Sequence, residues 1–519
     1  MMDFNIFKLP TGQDVSYGKN LYILGTSEYG PLLEPTIITT PEELTKIFGS
    51  KGSLIKAWRE SYQIASNKIN IRCVRISGAI AKSSLLEHLT FISTNAGEIG
   101  NKINYTIYDY GIEVRSPMAL GGESYTFSYD NYPSVGQLVE TINDLTRAGK
   151  LPVWASTQTP LTRTSKIKNE FTQLGYVGKT IYLNGGDDGI YISKNELHDY
   201  LDIAYNILEG QPIDIIIIAE AYFDDVSPLT YYGDNGGFAQ AFYTADRDYL
   251  TLPHKEDSSR TATFHGQLID FCYRQMNSSI VTHGVLAFNP LENIEDIFEK
   301  QAYLNKAIFS TCLSDGFDLR TKIEDKTTDH GHFVSLVLGE FVYKDESGNS
   351  YYNNGYAGYA AMLCLYLTPE SMTNKLVPNV DEIRYHLDDD EINTLSKMGV
   401  VTFRYSLYNE GIVVCNGVTT ALATSPYHSV SNTRMVQMTV SYFKILLDEY
   451  IGQDVKKLRV TKTIEKSIDN LIIQLRQAGI IQDIKYTFII SSTGYAVLNL
   501  NILAIYAIDY VETIGKTKL

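Results

Sequence analysis

Ile213-Asp214-Ile215-Ile216-Ile217-Ile218 sets five isoleucines around one aspartate. β-Branched side chains favour a pleated strand, and a run apolar on both faces suits a sheet covered on both sides. The stretch predicts the central strand of an α/β domain. Val281–Phe288 reads as a second such strand and His332–Val342 as another. Helical periods run through about 260–275, 294–312 and 356–367. The stretch 224–258, rich in Tyr, Asp and Gly, reads as a long surface excursion.

Upstream, residues 19–76 read as strand, helix, helix, strand. Leu21–Leu24 is a short apolar run, and Thr40-Pro41-Glu42-Glu43 reads as a capping box with proline at the first helical position. Ser53 opens a second helix, and Ile69–Ile76 is apolar on both faces by its end. Residues 81–184 change character: short alternating segments sit between Gly, Asn and Ser clusters, with one helix after Ser134. They read as a β-rich domain inserted into the α/β core, which occupies 19–80 and 185–395.

Asp388 caps a short helix closed by Gly399. Val400–Tyr408 and Ile412–Val418 then suggest a hairpin, followed by helices at about 431–450 and 461–478. Residues 396–505 are taken as an α+β C-terminal domain. From Leu498 through Leu500, Ile502, Ala504, Tyr506, Ile508 and Tyr510, apolar side chains alternate along one side of a strand that needs a partner. Residues 506–519 are read as a C-terminal arm and 1–18 as an extended N-terminal arm, with apolar Phe4, Ile6, Phe7 and Leu9.

The 519 residues suffice for about three domains. The 44 basic residues against 60 acidic ones, net −16, disfavour nucleic acid and anionic membranes. Five dispersed cysteines, none in a C-x-x-C pair, read as reduced thiols. No stretch is apolar for long enough to span a bilayer, and the N-terminus lacks the pattern of a signal peptide. The 38 tyrosines suit extensive interfaces or reflect coding bias.

Catalytic patterns fail on inspection. Gly178-Lys179-Thr180 lacks the earlier glycine of a P-loop and precedes a strand. Gly25-Thr26-Ser27-Glu28-Tyr29 has Tyr where a nucleophile elbow needs Gly. Asp329-His330-Gly331-His332 places two histidines on one strand face without further ligands, and Gly185-Gly186-Asp187-Asp188-Gly189 lacks a calcium loop's spacing and reads as a junction turn. No enzyme activity, metal or cofactor is expected. Residues 400–519 carry twelve basic and nine acidic residues, with Lys456, Lys457, Arg459, Lys462 and Lys466 bunched together. That stripe is either a solvated helix face or a contact for an acidic partner.

Four segments, in order, resemble the tail sheath proteins of contractile-tailed bacteriophages. They are Gly25–Pro31 with Glu34-Pro35; Gly97-Glu98-Ile99-Gly100-Asn101; Gly185–Gly189; and a C-terminal block with Leu395–Gly399, Asn416–Thr420, Arg434 and Tyr450-Ile451-Gly452. The resemblance implies a structural subunit of the virion, assembled in the host cytoplasm. Its subunits would form hexameric rings stacked around a tail tube, between baseplate and tail terminator proteins, and contract to drive the tube through the envelope. It also implies arms that add strands to neighbouring subunits, through Phe4, Ile6 and Leu9 at one end and Tyr506, Ile508 and Tyr510 at the other. The C-terminal domain would face the tube, which makes the basic stripe a tube contact. A headless particle of the R-type bacteriocin kind fits equally. A cytosolic α/β hydrolase acting on polysaccharide is the alternative from another class.

Overall fold

A computed structural model of the chain describes residues 6–8, 14–16, 19–83, 87–222, 264–278, 280–288, 330–344, 350–366, 370–380, 382–453, 462–490 and 496–504. It is a mixed α/β protein. Its largest sheet has seven strands, in the order Val400–Val401, Val334–Val337, His283–Ala287, Ile215–Tyr222, Asn20–Gly25, Asn70–Arg75 and Thr36–Ile37. The pairings from Ile215–Tyr222 out to Val400–Val401 are parallel; Thr36–Ile37 joins antiparallel. Ile215 through Ile218 are fully buried, as the isoleucine run predicts.

Parallel neighbours need crossovers, which here include helices. Phe264–Asn277 approaches the sheet closely because position 284 is glycine: a Cβ there would stand 2.6 Å from Leu268 Cδ2. Tyr356–Leu365 is buried from Tyr356 through Cys364, so it has no polar face. Its first turn is capped from another element. Glu60, on helix Ser53–Ala65, accepts from Gly358 N–H at 2.8 Å. Burial raises the Glu60 pKa to about 8, so the carboxyl is largely protonated at neutral pH.

Two compact units divide the chain: residues 1–22, 57–71 and 205–519, and residues 23–56 and 72–204. Within the second, one sheet runs Ser124–Ser128, Gly111–Arg115, Asn104–Ile107, Thr180–Tyr182, and another runs Val153–Ser156, Thr90–Ala96, Ile80–Lys82. A core including Phe91, Tyr105, Ile112, Ile142 and Phe171 draws only on residues 81–183. The region is less purely β than its turn-rich sequence suggests. Besides Val135–Arg147 it contains the helix Ser165–Gln173, which buries just Ile167 and Phe171. Two apolar residues four apart are too weak a period to notice in sequence.

Within the first unit, helices Val430–Asp448 and Thr463–Gln477 pack together through Tyr442, Phe443, Leu446, Ile468, Leu471 and Leu475. The long C-terminal strand exists over Ala496–Ala504, and its partner is the chain's own Ile481–Ile490, antiparallel. Leu498, Leu500 and Ile502 turn inward against the helices. Among the described residues this sheet has only two strands, so each keeps an unpaired edge.

Other expectations shift in detail. Ile6–Lys8 pairs antiparallel with Asp14–Ser16 instead of running extended. His330–Phe333 is a 3-10 turn rather than strand, and the strand begins at Val334. Val400–Val401 joins the large sheet, leaving Phe403–Ser406 and Gly411–Val414 as the hairpin. The helix expected at 294–312 and the stretch 224–258 lie outside the described residues. Cys73, Cys272, Cys364 and Cys415 are buried free thiols. Among the described residues no helix is long and apolar enough to cross a membrane.

Candidate functional site

Arg75 ends the strand Asn70–Arg75 and is fully buried. A guanidinium in that position must spend its donors on protein. Nη1 donates to Ala96 O at 2.5 Å and Gly30 O at 3.3 Å; Nη2 donates to Asp188 O at 2.8 Å. Burial lowers its pKa to about 10, and the Asp188 and Asp187 carboxylates partly oppose this, so Arg75 stays charged at neutral pH.

Two of the three carbonyls, those of Gly30 and Asp188, lie in motif segments and the third, that of Ala96, directly precedes Gly97; the surrounding backbone locks them together. Ala79 and Asp187 exchange N–H···O bonds of 2.9 and 3.2 Å; Lys82 and Asn184 exchange bonds of 2.8 and 3.0 Å. Ser77 Oγ donates to Gly189 O at 2.7 Å. Asn101 Nδ2 donates to Gly186 O while its Oδ1 accepts from Gly186 N–H, both at 2.8 Å. Glu98 N–H donates to Asp188 Oδ1 at 2.6 Å. Gly97 has φ +121°, and a Cβ there would lie 2.4 Å from Glu28 O. At Gly186 a Cβ would lie 2.4 Å from Gly97 O. Two of the four segments that carried the resemblance, and the residue just before a third, thus meet at one arginine. Sequence reading missed Arg75 itself. The available signal was an arginine set between the apolar Cys73-Val74 and Ile76, at the end of the strand read as apolar on both faces.

In the other unit, Leu395, Val418, Thr419, Thr420 and Arg434 of the fourth segment are buried, whereas Ile451 is exposed. Thr420 Oγ1 donates to Gly331 O at 2.8 Å, so it accepts from His265 Nε2 at 2.9 Å. Ser335 Oγ likewise donates to Val418 O at 2.7 Å and accepts from His283 Nε2 at 2.9 Å. Burial holds both imidazoles neutral: His265 falls to about 3 and His283 well below its usual value. Arg434 Nη1 donates to Leu363 O at 2.9 Å. These groups build the core and present no reacting atom to solvent.

The rejected catalytic patterns take ordinary roles. Ser27 Oγ donates to Tyr29 O at 2.9 Å within its own turn. Gly178 N–H donates to Ile107 O, and strand Thr180–Tyr182 follows. Gly185–Gly189 supplies the Asp188 carbonyl to Arg75 and the Asp187 backbone bonds to Ala79. Asp388 and Glu391 form a reciprocal capping box.

Of the residues expected to link subunits, Phe4, Leu9, Tyr506, Ile508 and Tyr510 lie outside the described residues; Ile6 falls in the short strand Ile6–Lys8. Lys456, Lys457 and Arg459 also lie outside them. Lys462 and Lys466 are exposed, one helical turn apart, at the start of Thr463–Gln477.

No protein-family model and no curated protein sequence matches the chain. Solved structures do. The sheath tail protein of Desulfitobacterium hafniense superposes with a TM-score of 0.50 at 11% identity, covering 94% of this chain and 97% of that one. The sheath tail protein Lin1278 of Listeria innocua gives 0.48 at 11% identity, covering 94% and 96%. The contracted helical sheath of the anti-feeding prophage gives 0.46 at 9% identity, covering 97% and 94%. The fold assignment rests on the first of these: from near one end to the other, the chain has the fold of a contractile tail sheath protein.

Proposed function

We propose that the protein is a structural, non-catalytic subunit of a contractile tail sheath. The observation that carries this reading is the likeness over 94% of the chain to a solved sheath tail protein. Fold alone does not dictate function. The meeting of two motif segments, and of the residue before a third, at Arg75 supports the reading by suiting a fixed root for the inserted domain 81–184.

In this reading the α/β core, the inserted domain and the α+β C-terminal domain move as rigid bodies while contacts between subunits switch between two packings. Subunits stack as hexameric rings on a baseplate, around a tail tube, in a phage virion. Arms at 1–18 and 506–519 join neighbours by adding strands. Among the described residues Ile481–Ile490 and Ala496–Ala504 form a sheet of two strands alone, whose outer edges suit such additions, each bond worth about 1 kcal/mol.

Electron microscopy of the purified protein, alone and with its tube protein, tests the reading. Helical tubes of stacked rings are expected. Soluble monomers under all conditions, with no association with tubes, would overturn it. Removing residues 1–16 is expected to spare the circular dichroism spectrum and abolish ordered tubes. Particles carrying DNA-filled heads separate a phage tail from a headless contractile device.

A further inference from the structure

Within residues 81–184 a second cluster has no part in the Arg75 junction. Glu87 and His88 precede strand Thr90–Ala96, and Glu170 lies on helix Ser165–Gln173. One ligand atom from each lies within 4.8 Å of the other two. His88 Nε2 is 3.0 Å from Glu170 Oε1. Its Nδ1 is 3.1 Å from Thr159 Oγ1, and its backbone carbonyl accepts from Thr157 Oγ1 at 2.7 Å. The ring is therefore held from behind with Nε2 facing the carboxylates, as outer-shell partners orient a metal-binding histidine.

The charges do not balance as they stand. Two carboxylates face one imidazole, and among the described residues no lysine or arginine pairs with either. Glu170 Oε2 is buried and accepts no hydrogen bond. A buried carboxylate oxygen without a donor is costly. A divalent cation satisfies that oxygen and neutralises the pair.

We propose that Glu87, His88 and Glu170 bind one zinc(II) ion, tying the segment before Thr90 to helix Ser165–Gln173. Imidazole and carboxylate oxygen are both zinc ligands. At bond lengths of about 2 Å, tetrahedral ligand atoms stand roughly 3.3 Å apart, close to the His88–Glu170 separation. Three protein ligands leave the fourth position to water.

The test uses the full chain, stripped with chelator and titrated with zinc chloride, read by calorimetry and by thermal unfolding. One site per chain with micromolar or tighter affinity, and a melting temperature that rises with zinc, is expected. Glu170→Gln, which keeps shape, and His88→Ala should each weaken binding at least tenfold and remove the thermal shift. His386→Ala, an exposed histidine elsewhere, should leave both unchanged. Circular dichroism of Glu170→Gln checks that loss of binding is not loss of fold. No binding below millimolar zinc would overturn the site, as would binding that Glu170→Gln and His88→Ala leave intact.

Discussion

The junction around Arg75 and the C-terminal helices with their hairpin hold structure together by opposite means. The junction is polar. One charged side chain and a set of backbone bonds join segments far apart in sequence, and two glycines make room for the approach. The C-terminal region is apolar and local, with two helices and a hairpin sharing one stripe of Ile, Leu and Phe. The junction spends its backbone bonds internally, whereas among the described residues the hairpin forms a sheet of two strands alone.

The sharpest way to break the contrast is Arg75→Met. It leaves three carbonyls without their donor, and breaking such a buried network costs about 3–5 kcal/mol. Urea denaturation should show that loss. Arg75→Lys should recover little of it, because an ammonium cannot reach carbonyls lying in three directions from a planar fork. Near-native stability in Arg75→Met would mean the backbone bonds alone hold the junction.

Leu471→Ala is the matching probe of the apolar region. Leu471 is fully buried between the two helices and the hairpin. Its truncation should cost about 2–4 kcal/mol, with the loss growing with the cavity left behind. Unlike Arg75→Met, the deficit should be largely recovered by Leu471→Met, since volume-conserving swaps are well tolerated.

Arg75 lies near 10 and keeps its charge through the acid range. Elsewhere, His265 and His283 are held neutral by burial. Their folded pKa values lie below the unfolded one, so the unfolded chain binds more protons as pH falls. Stability is therefore kept above about pH 6.5 and lost toward pH 3, by up to about 1.4 kcal/mol per pH unit for each histidine. Glu60 acts oppositely: its raised pKa means stability is lost as pH rises from the ordinary carboxyl range toward about 8. In His265→Gln the acid slope should shrink; an unchanged slope would place the acid sensitivity elsewhere.

How much of this was legible depended on whether a signal was local. The isoleucine run, the capped helices at 41–48 and 389–397, and the helix pair at 430–448 and 463–477 all follow from nearby residues. The partner of Ala496–Ala504 did not, although Ile481–Ile490 ends only a few residues upstream in sequence. With burial alternating along Ile481–Ile490, its period is diluted by Lys485, Tyr486 and Thr487. Arg75 and the Glu87–His88–Glu170 cluster were illegible for a different reason. Each is assembled from segments distant in sequence, and only the folded backbone reveals what a lone arginine or histidine faces. The motif segments were read in order along the chain, yet their meeting in space was a structural result.

The smallest expected effect bears on the basic stripe. Lys462 sits just before helix Thr463–Gln477 with φ +47°, a left-handed conformation that costs a non-glycine residue roughly 1 kcal/mol. It also places a positive charge at the helix N-terminus, the end whose dipole favours anions. Both terms work against the isolated chain, so stability alone does not explain the residue. Lys462→Gly should remove both and gain about 0.5–1 kcal/mol in urea denaturation. If Lys462 and Lys466 face an acidic tube, the same change should weaken co-assembly with tubes, and Lys462→Glu with Lys466→Glu should weaken it further while sparing the fold. The association should also fall as salt rises, because exposed charges are screened beyond about 8 Å at physiological ionic strength. A more stable Lys462→Gly protein that still decorates tubes normally, with no change in salt dependence, would return this stripe to a plain solvated helix face.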